Sequence, residues 1–403
     1  MFDLRLSEEQ IAIRDMVRDF VAQNVFPVAT KPERLEPFDV PLAIDLVDAA
    51  SALGLRTLAL SEDAGGAGAD TLTSCIVAEE LAAGDVDIAS VLARTAALGG
   101  MLFNRLMNDE QRKRFLPAFV SDDRYHLALA DREPDSESAL GSDYHRETGN
   151  RITTATAARR NGSGGNLIVN GTKTRVANAP VAKLFAVLVA TDSGDRILLV
   201  PADAAGVAVA EIGRDGGWYV GSCGDVVFSN CSVPADNLLG PEAVEALAGP
   251  GCDFGLPEAQ AINLGVGRAA FEAAREYAGV RIQGGRPIIE HQAIGAKLAE
   301  VVVNLETARN AIWQAAWAAD NPGAESIGNF PPLPRAKIAQ VVTAEKVYRA
   351  TKDSAECFGA MGVMRDMPLQ KYIHVARVFL HTGDGNADTK LRIAEAVAGF
   401  SRS

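Results

Sequence analysis

The segment Cys357-Phe-Gly-Ala-Met-Gly-Val-Met-Arg-Asp-Met-Pro368 carries the most information about the fold of this chain, and Leu380-His-Thr-Gly-Asp-Gly-Asn386 follows it closely. Glycines interrupt both segments and Pro368 ends the first, whereas the residues around them repeat with a helical period. Helical stretches are predicted near 334–359 and 368–398. The end of the chain is therefore predicted to be mostly helical.

Two longer helical stretches precede this region, near 256–282 and 288–319. Pro322 and the Asn329-Phe-Pro-Pro-Leu-Pro334 cluster separate the second stretch from the next, because proline breaks a helical pattern. Three long helices and a fourth predict an antiparallel bundle.

The middle of the chain, from about residue 122 to 240, has a different pattern of apolar and turn-forming residues. Short apolar runs rich in β-branched residues are separated by Gly, Asn, Asp and Pro, a spacing typical of strands and turns. The runs are 167–169, 184–190, 197–200, 206–210 and 225–228. They predict a small β-barrel or sandwich that ends near Val233-Pro-Ala-Asp-Asn-Leu-Leu-Gly240.

The N-terminal part is predicted to be helical. Ser7-Glu-Glu-Gln10 is a capping box, in which the Ser and Gln side chains satisfy backbone N–H groups at a helix start. Further helices are predicted near 41–53, 71–84, 87–106 and 109–120. The chain is thus predicted to divide into domains at 1–121, 122–240 and 241–403.

Composition limits the classes of function. The 403 residues, of which 48% are hydrophobic, suggest two or three packed units. A net charge of −13 argues against a general nucleic-acid or anionic-membrane surface. The five cysteines show no CxxC spacing, so neither a zinc site nor a disulfide framework is indicated, and a reducing, cytoplasmic location is expected. No apolar run approaches the ~18 residues of a membrane span, and no signal peptide is expected.

Two patterns that resemble ligand sites have simpler explanations. Gly265-Val-Gly-Arg-Ala-Ala270 matches a GxGxxA fingerprint but lies in a helical run with no strand before it, so helix packing explains its glycines better. His374 and His381 could share a helix face, yet the five histidines lack the spacing of a metal site. No metal is predicted.

The order and motifs of this chain resemble the acyl-CoA dehydrogenase family over nearly its whole length. The supporting segments, besides the two glycine-rich ones, are Leu6-Ser-Glu-Glu-Gln10, Ala78-Glu-Glu-Leu81, Val233 to Gly240, and Arg281-Ile-Gln-Gly-Gly-Arg-Pro-Ile288 with Glu290-His-Gln292. The resemblance implies an α+β multidomain fold with an N-terminal helical domain, a middle β-barrel or sandwich and a C-terminal four-helix bundle. It also implies FAD, an acyl-CoA substrate, lipid metabolism, an electron-transfer flavoprotein or similar acceptor, and a tetramer that is homomeric or built with a homologous subunit.

The chain departs from the family at the catalytic position. In the family a Tyr-Glu-Gly-Thr motif supplies the Glu that removes the α-proton, whereas here Gly383 stands at the ungapped position and Thr382 at the position shifted by one. Gly383 keeps a backbone N–H for the enolate oxygen, and Asp384 is the nearest substitute carboxylate, although Gly-Asp-Gly is most often a turn. Asp388 is another nearby carboxylate.

Some relatives place the acid at the start of the first bundle helix. That position maps to Gly255, flanked by Asp253 and Glu258, which could equally complement a helix N-terminus. The base is therefore left open among these acidic residues and Asp384.

The cofactor contacts that the resemblance implies are only partly kept. Arg281 could pair with the FAD pyrophosphate of a neighbouring subunit, and Gln292 could bind its adenosine part. In the flavin-facing motifs Arg132 replaces a Thr, Arg175 an aromatic residue and Ala177 a hydroxyl. Ser142, in Gly141-Ser-Asp143, falls in the segment that touches the flavin and the CoA arm.

Arg94 stands in the otherwise apolar stretch Ile88-Ala-Ser-Val-Leu-Ala-Arg-Thr-Ala-Ala97, in the helix that lines the acyl pocket in the family. It could reach solvent or pair with Asp85 or Asp87. Alternatively, its guanidinium could meet an anionic or polar acyl terminus, which would make the substrate an unusual acyl-CoA.

Three functions are compatible with these features. The first is a flavin oxidoreductase acting on CH–CH groups, an acyl-CoA dehydrogenase of polar or bulky substrate with a relocated base. The second is a non-catalytic partner subunit of a heteromeric acyl-CoA dehydrogenase. The third is a flavoenzyme of the same fold that performs β-elimination without net oxidation.

Overall fold

The N-terminal region of the computed structural model is helical. The structure describes residues 5–35, 40–134, 154–160, 165–212, 220–249, 252–321, 333–381 and 385–400. The helices are α1 (Glu8–Phe20), α2 (Phe26–Ala29), α3 (Ile44–Ala52), α4 (Thr71–Gly84), α5 (Val86–Met101) and α6 (Asp109–Ser121). The predicted capping box is confirmed, because Ser7 Oγ accepts from Gln10 N at 3.1 Å and Gln10 Oε1 accepts from Ser7 N at 3.0 Å.

The middle region forms one seven-stranded sheet with the order β1-β4-β2-β3-β7-β6, with β5 paired to β4. Its strands are β1 (His126–Ala130), β2 (Ala157–Arg160), β3 (Asn166–Ala177), β4 (Ala182–Thr191), β5 (Gly194–Pro201), β6 (Val207–Glu211) and β7 (Cys223–Pro234). The prediction missed β1 and β2. β1 pairs with β4 in parallel, whereas β5 pairs with β4 antiparallel.

Both faces of the sheet are buried around β4. Phe185 and Val187 belong to the core on one face, whereas Leu184 and Ala186 pack with Phe103 and Phe119 of the helical region on the other. Since successive side chains of a strand point to opposite faces, a strand covered on both sides must be apolar throughout. This explains the unbroken apolar run of β4 and places α5 and α6 against the sheet.

The C-terminal region is again helical. It contains α7 (Glu242–Ala248), α8 (Leu256–Val280), the short hairpin β8 (Ile282–Gln283) and β9 (Arg286–Pro287), α9 (Gln292–Asp320), α10 (Arg335–Cys357), α11 (Leu369–Val378) and α12 (Gly385–Ala398). The predicted fold class is confirmed. The single stretch expected at 368–398 is wrong, because it is two helices. The first, α11, ends at Val378, and the second begins at Gly385, whose φ of 72° lies outside helical geometry.

Buried ion pairs join the N-terminal helices to the bundle. Glu80 of α4 binds Arg18 of α1 at 2.7 Å and Arg268 of α8 at 2.6 Å, while Glu79 binds Arg309 of α9 at 2.6 Å. Both glutamates are buried. The Ala78-Glu-Glu-Leu81 motif therefore links four helices, α1, α4, α8 and α9, through ion pairs. Removing one partner would leave a buried charge unpaired.

The two glycines of Gly265-Val-Gly-Arg-Ala-Ala270 lie inside α8, as predicted. A Cβ at Gly265 would collide with the Glu79 carbonyl of α4, and one at Gly267 would lie 2.7 Å from Leu305 and 2.9 Å from Val347. These glycines allow close helix approach, which confirms the packing interpretation.

One helical run, Val86–Leu106, is long and apolar enough to cross a membrane by composition alone. It consists of α5 and the π-helical turn after it, and 78% of its most apolar window is buried inside the protein. Its apolar character is explained by packing between α4 and the sheet.

Candidate functional site

Helix α5 is fixed to the sheet by a row of hydrogen bonds. Asn178 Nδ2, just after β3, donates to Val91 O at 3.0 Å and to Thr95 Oγ1 at 3.2 Å. Asp87 Oδ1 accepts from Gly221 N at 2.7 Å. These bonds define one side of α5 as the side that faces the sheet, a role for Asn178 that the sequence did not predict.

Arg94 lies on this same side of α5, three residues after Val91 and four after Ser90. Its side chain is exposed, yet burial among the surrounding protein atoms lowers the pKa of the guanidinium, and the charge of Arg132 lowers it further. The side chain of Arg94 therefore reaches solvent past the surrounding protein atoms. We call this site the α5–sheet cleft and define it by Arg94, Asp131, Arg132 and Cys223, whose charges influence one another.

The predicted partners of Arg94 are engaged elsewhere. Asp85 accepts from Asp87 N and Ile88 N at the start of α5 and lies 3.4 Å from Arg34. Asp87 binds Gly221. The structure shows no bond between Arg94 and either aspartate, and the exposed side chain of Arg94 agrees with the alternative that it reaches solvent.

Arg132 is held at the end of β1 by its neighbours. Glu133 forms a buried ion pair with Lys173 at 2.5 Å and accepts from Thr156 N at 3.1 Å. The Arg132 carbonyl accepts from Thr174 N at 3.0 Å. The backbone on both sides of Arg132 is thus immobilised, while its own side chain is half-buried in the cleft.

Asp131 is a cleft residue that sequence reasoning missed. Its carboxyl is half-buried, and burial raises its pKa, a shift that the positive charges of Arg132 and Lys173 partly oppose. It also lies near enough to Cys252 for its charge to act on that thiol, next to the start of α8. In the sequence, Asp131 could have been recognised as a carboxylate that directly follows the apolar strand β1 and precedes the Arg132-Glu-Pro134 motif.

Arg175 and Ala177 lie on β3, next to β7. Arg175 is exposed and has a φ of 51°, at a register shift where its N–H donates to Asp225 Oδ1 at 2.9 Å. Ala177 is half-buried and pairs with Cys223. These two residues therefore lie beside the α5–sheet cleft.

Arg281 and Gln292 lie at the two ends of the β8–β9 hairpin. Both side chains are exposed, and neither forms an ion pair or hydrogen bond within the described part of the chain. The hairpin is closed by Ile288 N donating to Arg281 O at 2.9 Å and by a 2.9 Å bond between His291 Nε2 and Gln283 O. A free guanidinium and a free amide on a rigid, exposed segment are donors that fit a pyrophosphate and an adenosine.

The two acidic residues near Gly255 differ in their surroundings. Asp253 binds Lys337 of α10 at 2.8 Å, so its charge is already paired. Glu258 is buried in the first turn of α8, and its Oε2 has no hydrogen-bond partner among the described residues. Burial raises the pKa of Glu258 to about 7, and the nearby Asp320 adds to this shift.

Three predicted site residues, Gly383, Asp384 and Ser142, lie outside the residues that the structure describes. Asp388 is half-buried in the first turn of α12. The structure thus brings Arg94 and Arg132 to the α5–sheet cleft, with Arg175 and Ala177 beside it, and it locates Arg281 and Gln292 on a separate, exposed segment.

Family models match most of the chain. Residues 7–123 match the model described as acyl-CoA dehydrogenase, N-terminal domain. Residues 136–231 match the middle domain, and residues 258–398 match the C-terminal domain.

Curated proteins and solved structures agree with these matches. The chain is 30% identical to benzylmalonyl-CoA dehydrogenase of Aromatoleum aromaticum over 406 residues, which cover 98% of this chain and 100% of that protein. It is 29% identical to an acyl-CoA dehydrogenase of Bacillus subtilis, with coverage of 93% and 94%. The structure of butyryl-CoA dehydrogenase from Megasphaera elsdenii superimposes with a TM-score of 0.80 at 24% identity, covering 97% of this chain and 98% of that one. At this identity the last likeness speaks for the fold alone.

Proposed function

The chain belongs to the acyl-CoA dehydrogenase family, and we propose that it is a FAD-dependent oxidoreductase that forms a double bond between Cα and Cβ of an acyl-CoA thioester. The observation that carries the proposal is the α5–sheet cleft, because residues from the helical and β regions meet there and the side chains of Arg94 and Arg132 form no hydrogen bond or ion pair with the described residues. The full-length match to a dehydrogenase of 30% identity supports the same activity.

The chain's own residues fit FAD. Arg281 and Gln292 would hold the pyrophosphate and adenosine parts across a subunit boundary, and Arg132, Arg175 and Ala177 would border the flavin. When bound, FAD supplies the acceptor for the hydride that leaves Cβ. An electron-transfer flavoprotein or a similar protein would then accept the electrons.

The protein must also take the α-proton and hold the thioester oxygen. We assign the oxygen to the backbone N–H of Gly383 and the proton to Asp384, since a base must lie within hydrogen-bond reach of the atom that it deprotonates. Asp131 is the alternative base, because burial already raises its pKa and it lies in the cleft. Asp253 is a weaker candidate because Lys337 neutralises its charge.

The proposed substrate has a polar or bulky acyl group. Arg94 supports this, since an unpaired guanidinium in the cleft is a poor lining for a plain fatty acyl chain. The relative of 30% identity is named for benzylmalonyl-CoA, whose acyl group carries both a ring and a carboxylate. A cytoplasmic location remains our expectation for this protein, as the cysteine pattern suggested.

The bundle region supports an oligomer. Five of its aliphatic residues are each more than half exposed, namely Val280, Ile282, Val303, Val363 and Val397. Exposed apolar side chains in one region favour burial against another subunit. We propose a tetramer, either homomeric or built with a homologous subunit.

The alternative of a non-catalytic partner subunit is favoured by one observation, the absence of a Glu at positions 382 to 384. The test is to purify the protein alone and add acyl-CoA thioesters without oxygen. A yellow protein that bleaches supports the dehydrogenase, whereas a colourless one supports the partner subunit. A yellow protein that turns over without bleaching would indicate β-elimination.

A further inference from the structure

The interior of the bundle contains polar side chains that its ion pairs do not use. Asn263 of α8 and Thr343 of α10 are fully buried, and Gln260 of α8 is buried as well. Both polar atoms of the Asn263 amide, the Thr343 hydroxyl and Gln260 Oε1 have no hydrogen-bond partner among the described residues. Buried polar groups in proteins are nearly always hydrogen-bonded, because an unpaired one has lost its water without a replacement. These four atoms therefore need a partner.

Helices α8 and α10 lie side by side and run in the same direction. Three contacts align them, and these are the Asp253–Lys337 ion pair at 2.8 Å, the close approach of Gly267 to Val347, and the stacked rings of Tyr277 and Phe358 with centroids 4.2 Å apart. In each pair the residue of the α10 region lies 80 to 84 positions after its partner. The two helices thus keep one alignment from the start of α8 to its end.

This alignment brings the unpaired atoms together. Asn263 lies one helical turn before Gly267, on the same face of α8. Thr343 lies one turn before Val347, on the same face of α10. Because Gly267 and Val347 are in contact and the helices are parallel, Asn263 and Thr343 face each other one turn earlier. Gln260 precedes Asn263 by three residues on the same face, and we call these three residues the bundle polar cluster.

Helix α9 covers this cluster with a small side chain. It runs antiparallel to α8, since its first half packs with the end of α8 and its second half with the start. A Cβ at Gly267 would lie 2.7 Å from Leu305 of α9. Ala308, which is fully buried, lies nearly one turn after Leu305 and therefore at the level of Asn263. A methyl side chain at this level leaves room that a larger side chain would fill.

A direct bond inside the cluster would not satisfy all of its atoms. An amide has two N–H donors and a carbonyl acceptor, whereas a hydroxyl offers one donor and its lone pairs. If Asn263 bonded Thr343 directly, one side of the amide and Gln260 Oε1 would still lack a partner. A water molecule donates two hydrogen bonds and accepts others, so it can join an amide, a hydroxyl and a second amide at once.

We propose that the bundle polar cluster is a binding site for ordered water, in which at least one molecule joins Asn263 to Thr343 and reaches Gln260. The neutral amides and hydroxyl suit water better than a metal ion, which prefers carboxylate, imidazole or thiolate ligands. The water links α8 to α10 by hydrogen bonds in a contact that is otherwise apolar. The site is distinct from the α5–sheet cleft and does not depend on the proposed function.

A high-resolution crystal structure of the purified full chain tests the site directly. It should show at least one water within hydrogen-bond distance of both the Asn263 amide and Thr343 Oγ1. A cluster that contains no water, whether its side chains bond each other or stay unpaired, overturns the inference.

Thr343→Val tests the same site through stability, because valine has the shape of threonine without its hydroxyl. Thr351→Val is the matched control, since Thr351 is also fully buried in α10 and its Oγ1 donates to Tyr348 O at 2.9 Å. If Thr343 binds water, each substitution removes a hydrogen bond and should lower the melting temperature by about 1–3 °C. A higher melting temperature for Thr343→Val alone would mean that its hydroxyl was unpaired, and it would overturn the inference.

A double variant tests whether Asn263 and Thr343 share one water. Asn263→Ala with Thr343→Val should lose less stability than the two single losses added together, because the first change already releases the water. Asn263→Ala with Thr351→Val should show additive losses, since Thr351 lies two turns further along α10 and has its own partner. Additive losses in both double variants contradict a shared water.

Discussion

Asp384 must reach the thioester Cα if it is the base of the proposed reaction. Asp384→Asn should then slow the reduction of the flavin by the acyl-CoA at least ~10²-fold, the usual contribution of a positioned base, without loss of FAD. Stopped-flow absorbance of the flavin measures the rate. The complementary change Gly383→Glu restores the carboxylate of the family and should raise the rate if only the base has been lost.

If Asp384→Asn has no effect, Asp131 in the α5–sheet cleft becomes the candidate base. Asp131→Asn is expected to have a small effect if Asp384 is the base and a large one if Asp131 is. The two variants together therefore assign the base, and an unchanged rate in both would show that neither residue takes the proton.

Glu258 gives the protein a pH-dependent stability. Its pKa of about 7 in the folded state lies above the ordinary 4.5, so the folded state binds more protons between these values. Stability is therefore lost as the pH rises from 4.5 to 7, by up to about 3 kcal/mol. Glu258→Gln should melt at the same temperature as the wild type near pH 4.5 and at a higher one at pH 8. Glu276→Gln, an exposed change on the same helix, should show no such divergence.

Single residues of the candidate site could be selected from the sequence in two ways. Arg94 interrupts an apolar pattern with a charge, and Arg132 and Arg175 stand in segments that resemble family motifs. Asp131 fits neither description, because it directly precedes the Arg132-Glu-Pro134 motif and directly follows an apolar run. Asn178 was missed because its amide acts through tertiary contacts with Val91 and Thr95, which no local pattern encodes.

Helix α8 offers a matched test of packing at the scale of an element. Gly265→Ala adds a methyl group that collides with the Glu79 carbonyl, and backbone cannot move aside as a side chain can. It should destabilise the protein by roughly 1–3 kcal/mol, as overpacking does. Gly279→Ala on the same helix meets nothing within 4 Å and should leave stability unchanged or raise it by up to about 1 kcal/mol. Thermal melting of the two variants measures the difference, and equal melting temperatures would contradict the packing role of Gly265.

Elements with strong local signals were predicted well. Helix α4 was expected at 71–84 and runs from Thr71 to Gly84, because Asp70 caps its start. Strand β2 was missed because its Ala-Ala-Arg-Arg sequence has no strand pattern and is held by pairing with β3 and β4. The division between α11 and α12 was missed because a helical period on both sides hid the glycines between them.

The whole molecule must be an oligomer if Arg281 binds FAD in trans. Arg281→Met should then lower FAD occupancy while the tetramer persists, since the guanidinium is exposed and forms no hydrogen bond or ion pair with the described residues of its own subunit. Light scattering and the ratio of flavin to protein absorbance measure the two properties together.

Breaking the assembly should remove FAD as well. Val303 is an exposed aliphatic residue of α9, and Val303→Glu places a charge where the bundle is expected to meet a neighbour. This variant should fall to a smaller species and lose flavin, because half of each cofactor site would leave with the partner. Val209→Glu, on the exposed strand β6 away from the bundle, should keep both the mass and the flavin. A stable monomer with a full complement of FAD would contradict binding in trans, and Arg281 would then have to act within its own subunit.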